Sequence, residues 1–233
     1  MAGFSDALVG TVKLYQRHLF VCTGRPEWPA RIEQGDGYLQ ILAEAIATCQ
    51  DEMPFKVKLT ACDEPSSGPG YDILVFPEAI RYLNVTEADF STLVEDHLIG
   101  NRLSPHLRRE SLPGRHVFVC VHQARDPRCG ECGPAVAQQF RQTLAARGLA
   151  DSVFVHQTSH VGQHALAGNV LIYPGGDWYG LVTPAVVHRL VEEHLLQGQI
   201  VATHWRGRLG LSPEQQRALA GLPVRQDSGE KGL

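Results

Sequence analysis

The stretch Asp72–Leu98, DILVFPEAIRYLNVTEADFSTLVEDHL, returns at Asn169–Leu195 as NVLIYPGGDWYGLVTPAVVHRLVEEHL. The pairs Leu74/Leu171, Pro77/Pro174, Tyr82/Tyr179, Thr86/Thr183, Glu95/Glu192 and His97/His194 share one offset of 97 residues (171 − 74). Upstream, HLFVC ending at Cys22 is matched by HVFVC ending at Cys120, an offset of 98 (120 − 22). A short apolar strand finds chance matches easily. Two blocks in the same order at nearly the same spacing do not, so the chain reads as a duplicated unit of about 95 residues.

Each copy carries the same pattern of elements. A β-branched and aromatic run, His18–Cys22 or His116–Val121, predicts a first strand. A helix is expected next over Gly37–Gln50 and Pro134–Arg147, where Val136, Phe140 and Leu144 recur at i, i+4. A second strand follows at Phe55–Thr60 and Val153–Gln157. Two short strands then flank a P-E or P-G-G turn, Ile73–Phe76 with Ile80–Leu83 and Val170–Tyr173 with Asp177–Gly180. Thr86 and Thr183 stand at N-cap positions of closing helices, with Pro184 suited to the first helical position. A crossover helix implies parallel pairing of the first two strands, and a hairpin is antiparallel. The order β-α-β, hairpin, α is the core of the thioredoxin fold. The expected architecture is therefore α/β, with two tandem thioredoxin-like domains from an internal duplication. Residues 1–105 form the first and 106–200 the second, followed by a tail, 201–233, with a short helix from Ser212-Pro213 and a frayed DSGEKGL end. The polar stretch Arg102–Gly114 reads as a linker.

Composition narrows the function. With 233 residues and 43% hydrophobic content, the chain can bury a substantial core. A net charge of −4 gives no case for nucleic acid, and Arg108-Arg109, the short basic cluster, reads as solvated linker. No apolar stretch approaches the ~20 residues needed to span a bilayer, and the N-terminus lacks a secretory pattern. A cytoplasmic protein without membrane or nucleic-acid partners is expected. Six cysteines in such a chain are ligands, redox groups or buried thiols rather than a disulfide framework.

Four residues of the second half form one set: Cys120 and Cys129 in CVHQARDPRC, and His160 and His164 in H-V-G-Q-H. Thiolates with imidazoles suit zinc, copper or an iron–sulfur cluster and disfavour magnesium or calcium. In a β-α-β unit the loops after both strands lie at one sheet edge, so the two pairs converge there. The segments FVCVHQARDPRCG, TSHVGQHALAGNVLIYP, WYG-VTP and EEHL resemble the sucrase/ferredoxin-like family, over most of residues 115–210. That resemblance implies a thioredoxin-fold domain binding a [2Fe–2S] cluster, with Cys120 and Cys129 on one iron and His160 and His164 on the other. It implies an electron-transfer protein, a non-enzymatic one-electron carrier with proton coupling, working with redox partner proteins. All-cysteine members of this fold group dimerise, so either the two halves pair within the chain or the chain forms a homodimer.

In the first half, the repeat aligns Cys22 with Cys120, Cys62 with His160 and Ser66 with His164. No cysteine stands near the Cys129 position, so this half reads as degenerate. Two rivals remain open. Cys129-Gly-Glu-Cys132 is a C-x-x-C motif, which before a helix would make a thiol–disulfide oxidoreductase. Two thiolates and two imidazoles could also close a structural zinc site. Cys22, Cys49 and Cys62 read as buried thiols, and the remaining histidines, His122 among them, receive no role.

Overall fold

The computed structural model describes residues 3–34 and 37–224. The first half builds β1 (Arg17–Cys22), α1 (Tyr38–Thr48), β2 (Val57–Cys62), β3 (Tyr71–Phe76), β4 (Ile80–Val85) and α2 (Phe90–Thr92), which runs on as a π-helical segment Leu93–Ile99. After the edge strand β5 (Arg109–Ser111) come β6 (Arg115–Cys120), α3 (Pro127–Ala146), β7 (Val153–Thr158), β8 (Val170–Tyr173) and β9 (Asp177–Tyr179). The second half closes with α4 (Pro184–Arg189), again continued by a π-helical segment, Leu190–Leu196. β10 (Trp205–Arg208) and α5 (Pro213–Leu219) complete the described chain, and the DSGEKGL tail lies outside it. No described helix is long and apolar enough to cross a membrane.

The strands form one sheet in the order β10-β9-β8-β6-β7-β2-β1-β3-β4-β5. Within each half the first two strands are parallel and the third and fourth antiparallel, as the crossover and hairpin require. The halves meet at a single antiparallel pair, Cys62 with Thr158. In a flat sheet β1 and β6, three steps apart, would be separated by ~14 Å at the usual strand spacing. Instead the rings of Phe20 on β1 and Phe118 on β6 stack with centroids 3.7 Å apart. The sheet therefore folds back at its seam and turns the two half-sheets face to face.

Period-2 alternation assigns the residues to layers. Leu19 and Val21 face out toward Leu42 and Ile46 of α1, and Val117 and Val119 toward Val136, Phe140 and Leu144 of α3. Phe20, Cys22, Phe76, Phe118, Cys120 and Tyr173 point inward and share one buried core between the half-sheets. The repeated tyrosine and histidine meet in both halves: the Tyr82 hydroxyl lies 2.9 Å from His97 Nδ1, and that of Tyr179 lies 2.8 Å from His194 Nδ1.

Several expectations need correction. α3 begins at Pro127, seven residues before Pro134 (134 − 127), because Asp126 caps it by accepting from the Arg128 N–H. The linker holds β5, whose residues pair with β4, so this part of the chain stays with the first half beyond residue 105. The tail adds a strand, β10, which pairs with β9. Residues 4–12 pack on the second half, with Phe4 edge-on to Trp205 and Val9 in the core under α3. The β2 strand runs Val57–Cys62, two residues later than expected. Its register sets Cys22 opposite Cys62, whereas Cys120 is opposite Thr158. Cys62 is thus the counterpart of Thr158 and not of His160.

Candidate metal centre

The site begins where β6 ends. Cys120 is fully buried at the last position of that strand, its N–H donating to the Asn169 carbonyl at 3.0 Å. The chain then loops to the Asp126 cap, where Arg128 closes a bidentate pair on the carboxylate at 3.0 and 2.8 Å. This fixes the first turn of α3, so that Cys129 sits inside the helix, fully buried, facing back toward β6. Gly133, one turn on, allows the approach. A Cβ there would lie 2.3 Å from the Cys120 carbonyl oxygen and 2.8 Å from Val121 Cγ1.

His160 follows β7 by two residues. Its ring, Cys120 Sγ and Cys129 Sγ offer ligand atoms within 4.8 Å of one another, the one such group among the described residues. His164 opens a short 3-10 turn, His164–Leu166, on the same loop; its side chain lies outside the described residues. Cys132 is half-buried on the α3 face and does not join the group.

The electrostatics of the pair are asymmetric. The Cys129 thiol hydrogen-bonds Cys120, and with the His160 ring and the backbone N–H groups of His122 and Val161 it outweighs burial and pulls Cys120 well below the ordinary thiol range. Cys129 moves up, because it keeps the shared proton and is itself buried. Burial also raises Cys132. The donor set fits a thiophilic metal centre: one sulfur already favours the thiolate, a second lies in contact, and an imidazole joins them. Cys132 stands outside the group formed by Cys120, Cys129 and His160, so a Cys129-x-x-Cys132 redox pair leaves the approach of Cys120 and His160 unexplained.

One participant carried no signal in the sequence. The His160 backbone N–H donates to His122 Nδ1 at 3.0 Å, and His122 Nε2 lies 3.2 Å from the Trp28 carbonyl. Since a carbonyl only accepts, Nε2 bears the proton and Nδ1 is the acceptor. Burial keeps this ring low and neutral. A residue of the first half thus orients the loop that presents His160. Trp28 lies 94 positions before His122, so no local spacing could have revealed the link.

The first half offers less. Cys22 and Cys62 lie with sulfurs 3.9 Å apart, both fully buried, and the Ser66 hydroxyl donates to the Cys22 carbonyl at 2.7 Å.

Residues 8–207 match the family described as sucrase/ferredoxin-like, and the chain belongs to it. It is 40% identical over 98 residues to altered inheritance of mitochondria protein 32 of Debaryomyces hansenii, covering 40% of this chain and 35% of that one. A protein of Clostridium pasteurianum named a 2Fe-2S ferredoxin is 32% identical over 94 residues, 38% of this chain and 92% of its own. A thioredoxin-like [2Fe–2S] ferredoxin structure from Aquifex aeolicus superposes with a TM-score of 0.39 at 28% identity, over 43% of this chain and 96% of that one. The chain spans about a third of the length of the first curated relatives it matches.

Proposed function

We propose that this chain is an electron carrier holding one [2Fe–2S] cluster in its second half, with Cys120 and Cys129 on one iron and His160 and His164 on the other. The observation that carries the reading is the convergence of Cys120, Cys129 and His160 within 4.8 Å at one sheet edge. Family membership and the ferredoxin names of two relatives support it. When bound, such a cluster supplies reversible one-electron chemistry. The chain's own residues do the rest. Asp126 and Arg128 fix the turn that carries Cys129, Asn169 anchors the end of β6, and His122 holds the His160 backbone.

The two halves are read as tandem thioredoxin-like domains derived by duplication, on the strength of their matched strand orders and their matched Tyr–His contacts. The first half lacks a second thiol pair. Its role in this reading is to pack against the second as a built-in partner, through the shared aromatic core.

The test is anaerobic purification with iron, sulfide and zinc analysis. About two irons and two sulfides per chain are expected. Cys129→Ser should lose the visible spectrum, while Cys132→Ser, Cys22→Ser and Cys62→Ser should keep it. Four irons, zinc alone, or loss of the spectrum in Cys132→Ser with Cys129→Ser intact would overturn the assignment.

A further inference from the structure

A cavity of about 700 Å³ opens beside the candidate metal centre, between the N-terminal segment, β2 and the loop after His160. That size is typical of sites for small molecules. Four cationic side chains line it, Lys13, Lys56, Lys58 and Arg206, and no carboxylate does. In a chain of net charge −4 such one-sided charge is unexpected. Like charges brought together without counter-ions cost energy that an anionic occupant would recover.

The cations differ in what holds them. Arg206 is 1% exposed and is accounted for by structure: its Nε donates to Thr11 Oγ1 at 3.0 Å, and Nη1 donates to the Asn169 side-chain oxygen. It ties the N-terminal segment to the end of the metal-site loop. Lys58 has no such duty. Its ammonium makes no hydrogen bond or ion pair among the described residues and stands 5.6 Å from the centroid of the Trp178 ring, with the Arg206 guanidinium 5.4 Å from the same ring. Burial, then the charge of Arg206 and more weakly that of Lys13, hold Lys58 down to about 8 against the opposing pull of Cys120. Lys58 thus stands half-buried on β2 at the wall of the cavity, its charge met by an aromatic face and not by a carboxylate.

We propose that this cavity binds a small multivalent anion, a phosphorylated or polycarboxylate metabolite, with Lys58 as its principal contact and Lys13 and Lys56 at the mouth. Tyr15 and Trp178 supply aromatic wall for the uncharged part of the ligand. Val161, Gly162, Gln163 and Ala165 form the opposite side, so the occupant lies against the loop that carries His160 and His164.

The test uses the full chain as purified, titrated with inorganic pyrophosphate in one arm and citrate in the other, at ionic strength held constant with chloride. Tryptophan fluorescence reads occupancy through Trp178, and thermal unfolding reads it independently. A saturable response is expected in at least one arm, and the stronger arm identifies phosphate or carboxylate chemistry. Lys58→Met, which keeps an unbranched side chain of similar length and removes the charge, should weaken binding at least tenfold with little change in unfolding temperature without ligand. Arg25→Gln, on an exposed loop away from the cavity, should bind as the parent does. No saturable response to either anion, or equal affinity in Lys58→Met, overturns the proposal. Neither readout depends on iron, so the outcome is separate from that of the cluster assignment.

Discussion

Gly133→Ala should damage the proposed metal centre far more than the fold. The added Cβ would sit 2.3 Å from the Cys120 carbonyl oxygen, 2.8 Å from Val121 Cγ1 and 3.0 Å from Val121 Cα, where ordinary contact begins at 3.4 Å. Two of the three obstacles are backbone at and just past the end of β6, which cannot rotate away, so α3 and β6 must part by about 1 Å. Overpacking of this kind costs typically ~1–3 kcal/mol. Replacing an interior helical glycine by alanine returns about 1 kcal/mol of that. The net loss of stability is therefore modest, on the order of 1 kcal/mol. Cys129 is four residues before Gly133 and shares its helix face, so the displacement passes directly to its sulfur. Metal–ligand distances tolerate only about ±0.2 Å. Iron per chain and visible absorbance after reconstitution should fall at least several-fold, while the urea midpoint of the metal-free protein shifts little. Glu131→Ala, exposed on the same turn, should match the parent in both. Full iron loading with an unchanged spectrum in Gly133→Ala would refute the claim that close helix–strand approach sets the site.

Two further outcomes follow from charge. Burial pushes the Glu78 carboxyl up, but the His97 ring and the Arg17 guanidinium more than offset it and hold it at about 2. The ring nitrogen stands 3.7 Å away, beyond hydrogen-bond reach, so Arg17 is the stronger partner. With the folded value below the ordinary 4.5, this stabilisation is complete above pH 4.5 and is lost as pH falls toward 2. It amounts to at most about 3 kcal/mol. Urea midpoints at pH 6 and pH 3 should show a smaller acid loss in Glu78→Gln than in the parent, and equal losses would count against it. For the proposed cluster, neutral imidazoles in place of thiolates raise the reduction potential above the roughly −400 mV of plant-type ferredoxins. Voltammetry should give a slope approaching about 59 mV per pH unit at alkaline pH, and His164→Cys should lower the potential. A flat profile unchanged by that substitution would exclude histidine ligation.

The fold was legible where hydrophobic period and turn chemistry act locally. The order of strands and helices in both halves follows from the alternation in HLFVC and HVFVC and from the proline turns after Phe76 and Tyr173. The start of α3 was misplaced although Asp126-Pro127 is a good N-cap and first-turn pair. The helix was expected from Pro134, and only the packing shows why glycines stand in the turns before it: Gly133 lies against the end of β6 and Gly130 against Gln123. The strands β5 and β10 are short and lack alternation, and each exists because a neighbouring strand offers an open edge. Of the candidate site, the approach of Cys120, Cys129 and His160 could be read from the sequence, because they stand at the end of β6, in the first turn of α3 and just after β7, which the fold brings to one edge. His122 and Lys58 had no local signature. Their surroundings come from residues remote in sequence, Trp28 for the one and Trp178 for the other.

That remoteness bears on what the first half does. If it were only a remnant, the site should be complete within residues 115–210. It is not. The Trp28 carbonyl fixes the tautomer of His122, and His122 in turn holds the His160 backbone. Thr158, two residues before His160, donates to the Ala61 carbonyl at 2.9 Å, and the Ser159 hydroxyl accepts from the Ala61 N–H at 3.0 Å. Phe20 and Phe76 cover the ring of Phe118 two residues before Cys120. Without these contacts the end of β6 and the loop after β7 would face water, and a buried thiolate would lose the low-dielectric surroundings that strengthen its hydrogen bonds. A half that has no complete ligand set of its own can thus be retained for the environment it gives the other.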